Sequence, residues 1–268
     1  LPEGIRQVFV MRVVTYNILD GGEGRADPIG EVIEAQRADV VALVEATDLT
    51  VIERIARRLN MDYVHAPGRS QASALLTRFT IRDSTNYALL RPGLSKSLLE
   101  ATIVDDVGDQ WSVGVVHLHH GARESDEAER ERELAVVLDV FGPHREANRP
   151  HLLCGDFNAD SPSQVIDPQK CKPSTRDAWT ANGGQIPRRV IASLLSHGYL
   201  DTLAAVRGPQ ARIMGTFSTQ HPGQRVDHIF THGLPPAQLE QAWIEYDRLA
   251  KYASDHFPVG VQIARRSA

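Results

Sequence analysis

The tightest constraint on this chain is a repeated pattern: a short apolar run that stops at a polar residue. Leu152-Leu153-Cys154 runs into Gly155-Asp156-Phe157-Asn158, and Val40-Val41-Ala42-Leu43-Val44 runs into Glu45. The same happens where Tyr16 meets Asn17, where Val116 meets His117 and where Val226 meets Asp227-His228. Ser254-Asp255-His256 likewise precedes Phe257-Pro258-Val259. Apolar runs of this length, bounded by turn residues, read as buried β-strands. Any one such polar residue is an ordinary turn former, since Asp and Asn bond their own backbone. A whole series of amides, carboxylates and histidines at strand ends points to one shared site, because side chains converge there while the strands hold them rigid.

The rest of the chain fits between these runs. Strands are expected at 11–18, 40–44, 63–65, 74–77 and from Ile81 onward. A hairpin is expected from 98–104 and 111–117 around the turn at 105–109, with later strands at 215–218, 225–231, 239–245 and 259–263. Helices are expected from a cap at Asp27 with Pro28 in the first turn, then at 49–59 with Leu49, Ile52, Ile55, Ala56 and Leu59 on one face. Two more span 124–141, stopped by Gly142-Pro143, and 190–197, closed by Gly198. The acidic run from Glu124 to Glu133 reads as a solvated helix face, and the polar stretch 162–187 as a surface excursion near the site. His228 is expected to face the sheet. No linker and no fixed-period repeat breaks the chain, so a single α/β domain over 11–266 is expected, with 1–10 as an N-terminal extension. Many short strands joined by turns imply mixed or antiparallel sheets.

Charge narrows the function classes. A net charge of −5 and a pI near 6.1 argue against a broad basic groove for nucleic acid. They leave a nuclease open, because a cluster of acidic metal ligands itself lowers the pI. Arg188-Arg189 and Arg265-Arg266 are too short to carry nucleic-acid binding. Two cysteines make no disulfide framework, so a reducing cytoplasm is the expected compartment. No apolar run is long enough to span a bilayer, residues 1–10 lack the signal-peptide pattern, and a monomer is expected. His117, His119 and His120 make a histidine-rich stretch. Without supporting Cys or carboxylate spacing it suggests loop exposure or substrate contact rather than a closed zinc site.

Taken in order, Thr15-Tyr16-Asn17, Val44-Glu45, Val116-His117-Leu118, Gly155-Asp156-Phe157-Asn158, Arg225-Val226-Asp227-His228-Ile229-Phe230 and Ser254-Asp255-His256 resemble the endonuclease/exonuclease/phosphatase superfamily. The resemblance runs from Asn17 to His256. It implies a four-layer α/β/β/α sandwich of two packed, mostly antiparallel sheets with outer helices and a site at one rim. It further implies a hydrolase dependent on Mg²⁺ or Mn²⁺ that cleaves phosphoesters, most of all phosphodiesters, by in-line attack of an activated water. The substrate would be a nucleic acid, a phospholipid or a small phosphate ester, and the acidic balance leans towards a small or lipid-like ester, or single-stranded ends, over long duplex DNA. By the same resemblance Glu45, Asn17 and Asp255 are metal-site candidates, with Asn17 orienting Glu45 or touching metal-bound water. Asp156 would position or deprotonate the attacking water, Asn158 would hold a phosphate oxygen, and His117 would be a second donor. Asp227 would fix the tautomer of His256, leaving that ring to act as base or charge stabiliser. Two departures stand out. Some nucleases of the group pair the residue at His117 with an acid from the strand that here reads Ser73-Ala74-Leu75-Leu76-Thr77-Arg78, which has none. Abasic-site endonucleases carry an acid two positions after the first-strand Asn, where this chain has Leu19 followed by Asp20. The competing expectation is a binding module that keeps the fold without the chemistry.

Overall fold

The computed structural model describes residues 9–265. Residues 1–8 of the expected extension and the end of the expected domain at Arg266 lie outside the described residues. Twelve strands are present: β1 (Phe9–Asn17), β2 (Val40–Val44), β3 (Asp62–Ala66), β4 (Ser73–Thr77), β5 (Thr80–Asn86), β6 (Ser97–Val104), β7 (Gln110–His117), β8 (His151–Asp156), β9 (Leu200–Asp201), β10 (Asp227–His232), β11 (Leu239–Ile244) and β12 (Val259–Arg265). They form two six-stranded sheets, in the orders β11-β12-β1-β2-β4-β3 and β5-β6-β7-β8-β10-β9. Each sheet is antiparallel except for one central parallel pair, β1 with β2 and β7 with β8. Helices Ala26–Ala35 and Leu49–Leu59 cover the first sheet, and helices Glu124–Val140 and Arg189–Ser196 cover the second. This is the expected four-layer sandwich.

Side-chain alternation in the second sheet explains where the site falls. Leu99, Ala101 and Ile103 of β6, Val113 and Val115 of β7, Leu152 and Cys154 of β8, and Ile229 of β10 enter the core shared with the first sheet. Their neighbours Leu98, Val116, Leu153 and Phe230 face the outer helices instead, with Phe157, Leu134, Phe141 and Leu194. A period of two then carries His117, Asp156 and Asp227 to the inner side, towards the other sheet. Register does the rest, since His117 lies opposite Asp156 and Asp156 opposite Asp227. On the facing sheet Asn17 ends β1 opposite Val44, the last residue before Glu45. Parallel pairing is what brings the ends of β1 and β2, and of β7 and β8, to the same rim.

Several local expectations are corrected. The segment 215–218 is no strand; Phe217 makes isolated bridges to Gln224 and to His256. The Thr216 side chain explains this, because its Oγ1 accepts from the N–H of both Val226 and Asp227 and so replaces ladder bonds. The stretch 162–187 contains a 3₁₀ turn, Pro168–Lys170, and a helix, Pro173–Ala181, started by proline at its first position. The first helix begins at Ala26, with Arg25 in the cap position and no side-chain cap, rather than at Asp27. Gly142-Pro143 ends the long helix but also starts a short one, Gly142–Glu146.

The acidic run is the largest correction. Glu127, Arg130 and Glu133 are buried, not solvated. Glu127 pairs with Arg130 and accepts the Val190 N–H. Arg130 donates to the carbonyls of His119 and Gly121, while Glu133 accepts from the N–H groups of Ser95 and His119. The loop after β7 has too few backbone partners of its own, and these charged side chains satisfy it.

Candidate metal and phosphoester site

Glycine sets the geometry at the end of β8. Gly155 has φ 146°, and a Cβ there would lie 1.9 Å from the Val116 carbonyl oxygen, so the strand approaches β7 as closely as backbone allows. Asp156 follows directly. Its Oδ1 accepts the Asn158 N–H at 2.8 Å, and Asn158, at φ 50°, turns back to donate its own amide to the Leu118 carbonyl at 3.0 Å. The strand end and the loop after β7 are thereby tied together, with part of the Asn158 amide committed to that tie.

Asn17 joins the two sheets. Its Nδ2 lies 3.1 Å from Glu45 Oε1, 3.1 Å from Asp156 Oδ2 and 3.5 Å from His256 Nε2. Its Oδ1 accepts the Leu19 N–H. In this arrangement Asn17 orients two carboxylates and its oxygen is engaged elsewhere. Glu45 sits in the left-handed region at φ 57°, uncommon for a residue with a Cβ, and its Oε2 accepts the Asp20 N–H at 2.8 Å. Asp20 thus reaches Glu45 through its backbone, and its side chain is exposed.

His256 completes the floor. Its Nδ1 is 2.8 Å from Asp227 Oδ2, and its Nε2 is 3.9 Å from both Asp156 Oδ2 and Asp255 Oδ1. Ser254 braces it, donating Oγ to the Asn17 carbonyl and accepting the His256 N–H. Burial alone would disfavour the imidazolium, but Asp227, then Asp156 and Asp255, raise its pKa to about 9. Asp156 moves the other way from the usual carboxylate, pushed up to about 6 by burial and by the neighbouring Asp227. The pair is therefore poised with the ring protonated and a carboxylate of unusual proton affinity beside it.

His117 is buried, with Nε2 3.7 Å from Asp156 Oδ2, and burial followed by the Lys96 charge holds its pKa well below the ordinary value. The partner that sequence reasoning missed is Lys96, whose Nζ lies 2.6 Å from His117 Nε2. A lone lysine ahead of a strand carries no signal. Only the pairing of Ser97 with His117 across β6 and β7 brings it there. Lys172 and Phe217 were missed for the same reason. Lys172 Nζ is 3.2 Å from Asp255 Oδ2 and 4.1 Å from the centre of the Phe217 ring, which itself packs 4.7 Å from the His256 ring. Beside these residues a cavity of about 340 Å³ opens, bounded by His120, Arg123, Asn158, Lys172 and Phe217 among others. His119 turns to Asp126 at 3.6 Å, so the histidine-rich stretch splits between core, ion pair and cavity wall. His228 is buried in β10, as expected, and lies 3.1 Å from the Ala159 carbonyl.

The carboxylates gathered here suit a hard divalent cation. Single atoms of Asp156, Asp227 and His256 lie within 4.8 Å of one another, the one such group among the described residues. Asp227 Oδ1 and Asp255 Oδ1 are buried without a hydrogen-bond partner among the described residues. Buried carboxylate oxygens are costly when unpaired, and a Mg²⁺- or Mn²⁺-type ion is bound by such oxygens.

Comparison with known proteins agrees with this geometry. The model of the Endonuclease/Exonuclease/phosphatase family matches residues 14–256. No curated protein matches significantly. Among solved structures, an AP endonuclease from Archaeoglobus fulgidus is similar at TM-score 0.70 and 18% identity, covering 94% of this chain and 98% of that one. An endonuclease/exonuclease/phosphatase from Beutenbergia cavernae is similar at 0.68 and 20%, covering 95% and 71%. A 3′ phosphatase from Neisseria, bound to product DNA hairpin, is similar at 0.68 and 19%, covering 94% and 99%.

Proposed function

Because the chain belongs to the endonuclease/exonuclease/phosphatase family, we propose that it is a Mg²⁺- or Mn²⁺-dependent phosphodiesterase that uses water as nucleophile. The observation that carries this reading is the buried Asp156–Asp227–His256 group, bridged to Glu45 of the other sheet by Asn17. Glu45 and Asp255 would hold the metal, and Asn17 would keep Glu45 and Asp156 in register. When bound, the ion supplies Lewis-acid stabilisation of charge on the phosphoryl oxygens. Asp156, its proton affinity raised, accepts a proton from the attacking water as the new P–O bond forms. The His256 imidazolium, fixed through Nδ1 by Asp227, donates from Nε2 to the charge that develops on the phosphoryl oxygens. Asn158 helps to position the phosphate from the β8 side.

The substrate is a phosphodiester; two of the similar structures are an AP endonuclease and a 3′ phosphatase bound to product DNA hairpin by their descriptions. The net charge of −5 favours a small or lipid-like ester over long duplex DNA. Assay of duplex and single-stranded DNA, RNA, sphingomyelin and inositol phosphates with Mn²⁺ and Mg²⁺ tests both points. Chelation should abolish turnover, and Asp156→Ala should leave almost none. Full activity in Asp156→Ala sinks the assignment. Inactivity of the intact protein on every substrate would favour the binding-module reading, as would failure to bind Mn²⁺ near Glu45.

A further inference from the structure

Resting on that functional reading, we propose that Lys96 is a catalytic phosphate-oxygen donor and that His117 is the residue that positions it. Lys96 stands immediately before β6, and its side chain is buried against β7 with only 7% of the residue exposed. Its Nζ lies 2.6 Å from His117 Nε2. An ammonium has only hydrogens to give, so in this contact the imidazole accepts at Nε2 and carries its proton on Nδ1, a buried atom without a hydrogen-bond partner among the described residues. A ring in that state has no Nε2–H to offer a substrate. The donor on this side of the site is therefore the lysine.

Two further observations support the assignment. The contact with His117 is the one hydrogen bond that Lys96 Nζ makes among the described residues, which leaves two N–H groups for a ligand. A buried cation with unfilled donors is costly unless negative charge or ligand oxygen meets it. Burial lowers the Lys96 pKa, while Asp156, Glu45 and Glu133 supply negative charge that favours the cation and Arg130 opposes it. Asp156 lies on the far side of the shared imidazole nitrogen, since His117 Nε2 is 3.7 Å from Asp156 Oδ2. The second observation is across the sandwich. Ser73 of β4 and Ser97 of β6 bring their hydroxyls within 2.5 Å of each other at this rim. The acid-free β4 strand thus closes on β6 with neutral groups and leaves His117 to the lysine.

In the reaction, a P–O bond forms to water and the P–O bond to the leaving alcohol breaks. Lys96 stays protonated throughout and gives its two N–H groups to a non-bridging oxygen that gains charge in the transition state. His117 keeps the third N–H occupied and so fixes where the other two point.

The test compares wild type with Lys96→Met in three measurements: diester hydrolysis, Mn²⁺ affinity and inorganic phosphate affinity in the presence of Mn²⁺. Lys96→Met should lose about 10²–10³-fold in kcat, the usual effect of removing one transition-state donor. Phosphate affinity should fall at least about tenfold, with Mn²⁺ affinity unchanged within about threefold, which a merely structural lysine would not produce. In Lys96→Ala, millimolar ethylammonium should restore part of kcat, and no recovery would overturn the proposal. So would phosphate affinity and kcat within threefold of wild type in Lys96→Met, or loss of metal binding in step with activity. If Lys96→Met does not fold, Lys96→Gln serves with the same criteria. If wild type hydrolyses no diester, the functional reading fails, and the phosphate affinities still decide the role of Lys96.

Discussion

Two buried acid clusters lie around β8 and β10 and end in opposite electrostatic states. In one, Asp201 receives two hydrogen bonds from the Arg225 guanidinium, at 2.9 and 2.7 Å, and a third from the Ala204 N–H. His228 Nδ1 stands 3.8 Å away. Burial works against the Asp201 carboxylate, yet Arg225 overrides it and holds the acid far below the usual range. In the other, Asp156 is equally buried but faces Asp227, and its proton affinity rises. Both acids have hydrogen bonds. Only one has a full counter-charge. Burial of an acid therefore marks nothing by itself; what separates a structural bolt from a reactive site is whether the protein finishes neutralising it.

The sharpest way to break this contrast is catalytic. His256→Ala should lower kcat/KM by about 10³-fold or more while leaving the fold intact, because its charge stabilises developing phosphoryl charge. Steady-state kinetics beside a denaturant melt separate the two effects, and a mutant that retains tenth-level activity would contradict the assignment. Arg225→Met should do the reverse. It leaves Asp201 buried without its partner and should cost about 3–5 kcal/mol in denaturant unfolding, with normal kcat per folded molecule. Equal stability to wild type would show that Arg225 is no bolt.

Next in size is Gly155→Ala. The added methyl meets the Val116 carbonyl oxygen at 1.9 Å in a backbone conformation at φ 146°, so β7 and β8 must separate. About 1–3 kcal/mol of stability should be lost, together with activity, since His117 and Asp156 ride on those strands. A stable and fully active variant would mean the close approach is dispensable.

The subtlest comparison is in pH, measured on metal-free protein. Asp156 has a raised folded pKa of about 6, so its contribution to stability is whole below the unfolded value near ~4 and is lost as pH climbs through about 6. His256 behaves alike one step higher: whole below its unfolded value and lost as pH rises through about 9. Asp201 has a depressed folded pKa, so its contribution is present above the ordinary carboxylate range and is lost only as pH falls below it. Asp156→Asn should flatten the limb around pH 6, whereas Asp201→Asn should flatten the acid limb. Saturating Mn²⁺ should flatten the first and leave the second. A metal effect on both limbs would dissolve the distinction between the clusters.

Much of this was legible in the residues. The run-then-polar pattern located Asn17, His117 and Asp156 at strand ends and Glu45 just past one, because a series of such groups at strand ends is hard to explain as turns alone, while Asp227 opens β10 instead of interrupting a strand over 225–231. What it could not supply was cross-strand neighbours. Lys96, Lys172 and Phe217 reach the site through sheet pairing and a loop turn, contacts between residues far apart in the chain with no local period to betray them. Glu127, Arg130 and Glu133 were misread because alternating charge on a helix normally signals solvent. Here the same charges serve a loop whose amides and carbonyls need partners. The false strand at 215–218 failed for a related reason: a threonine hydroxyl did the work that backbone pairing would have done.

Asn17 and His256 stand 239 positions apart in the chain and 3.5 Å apart in space. The candidate site therefore has no nascent form. A ribosome-bound polypeptide that has not yet delivered residue 256 lacks the ring, the Ser254 brace and β12, which flanks β1. A partial product that ends before residue 256 retains an incomplete candidate site, without His256 and β12. Completion of the candidate site is thus coupled by topology to synthesis of the chain through residue 256.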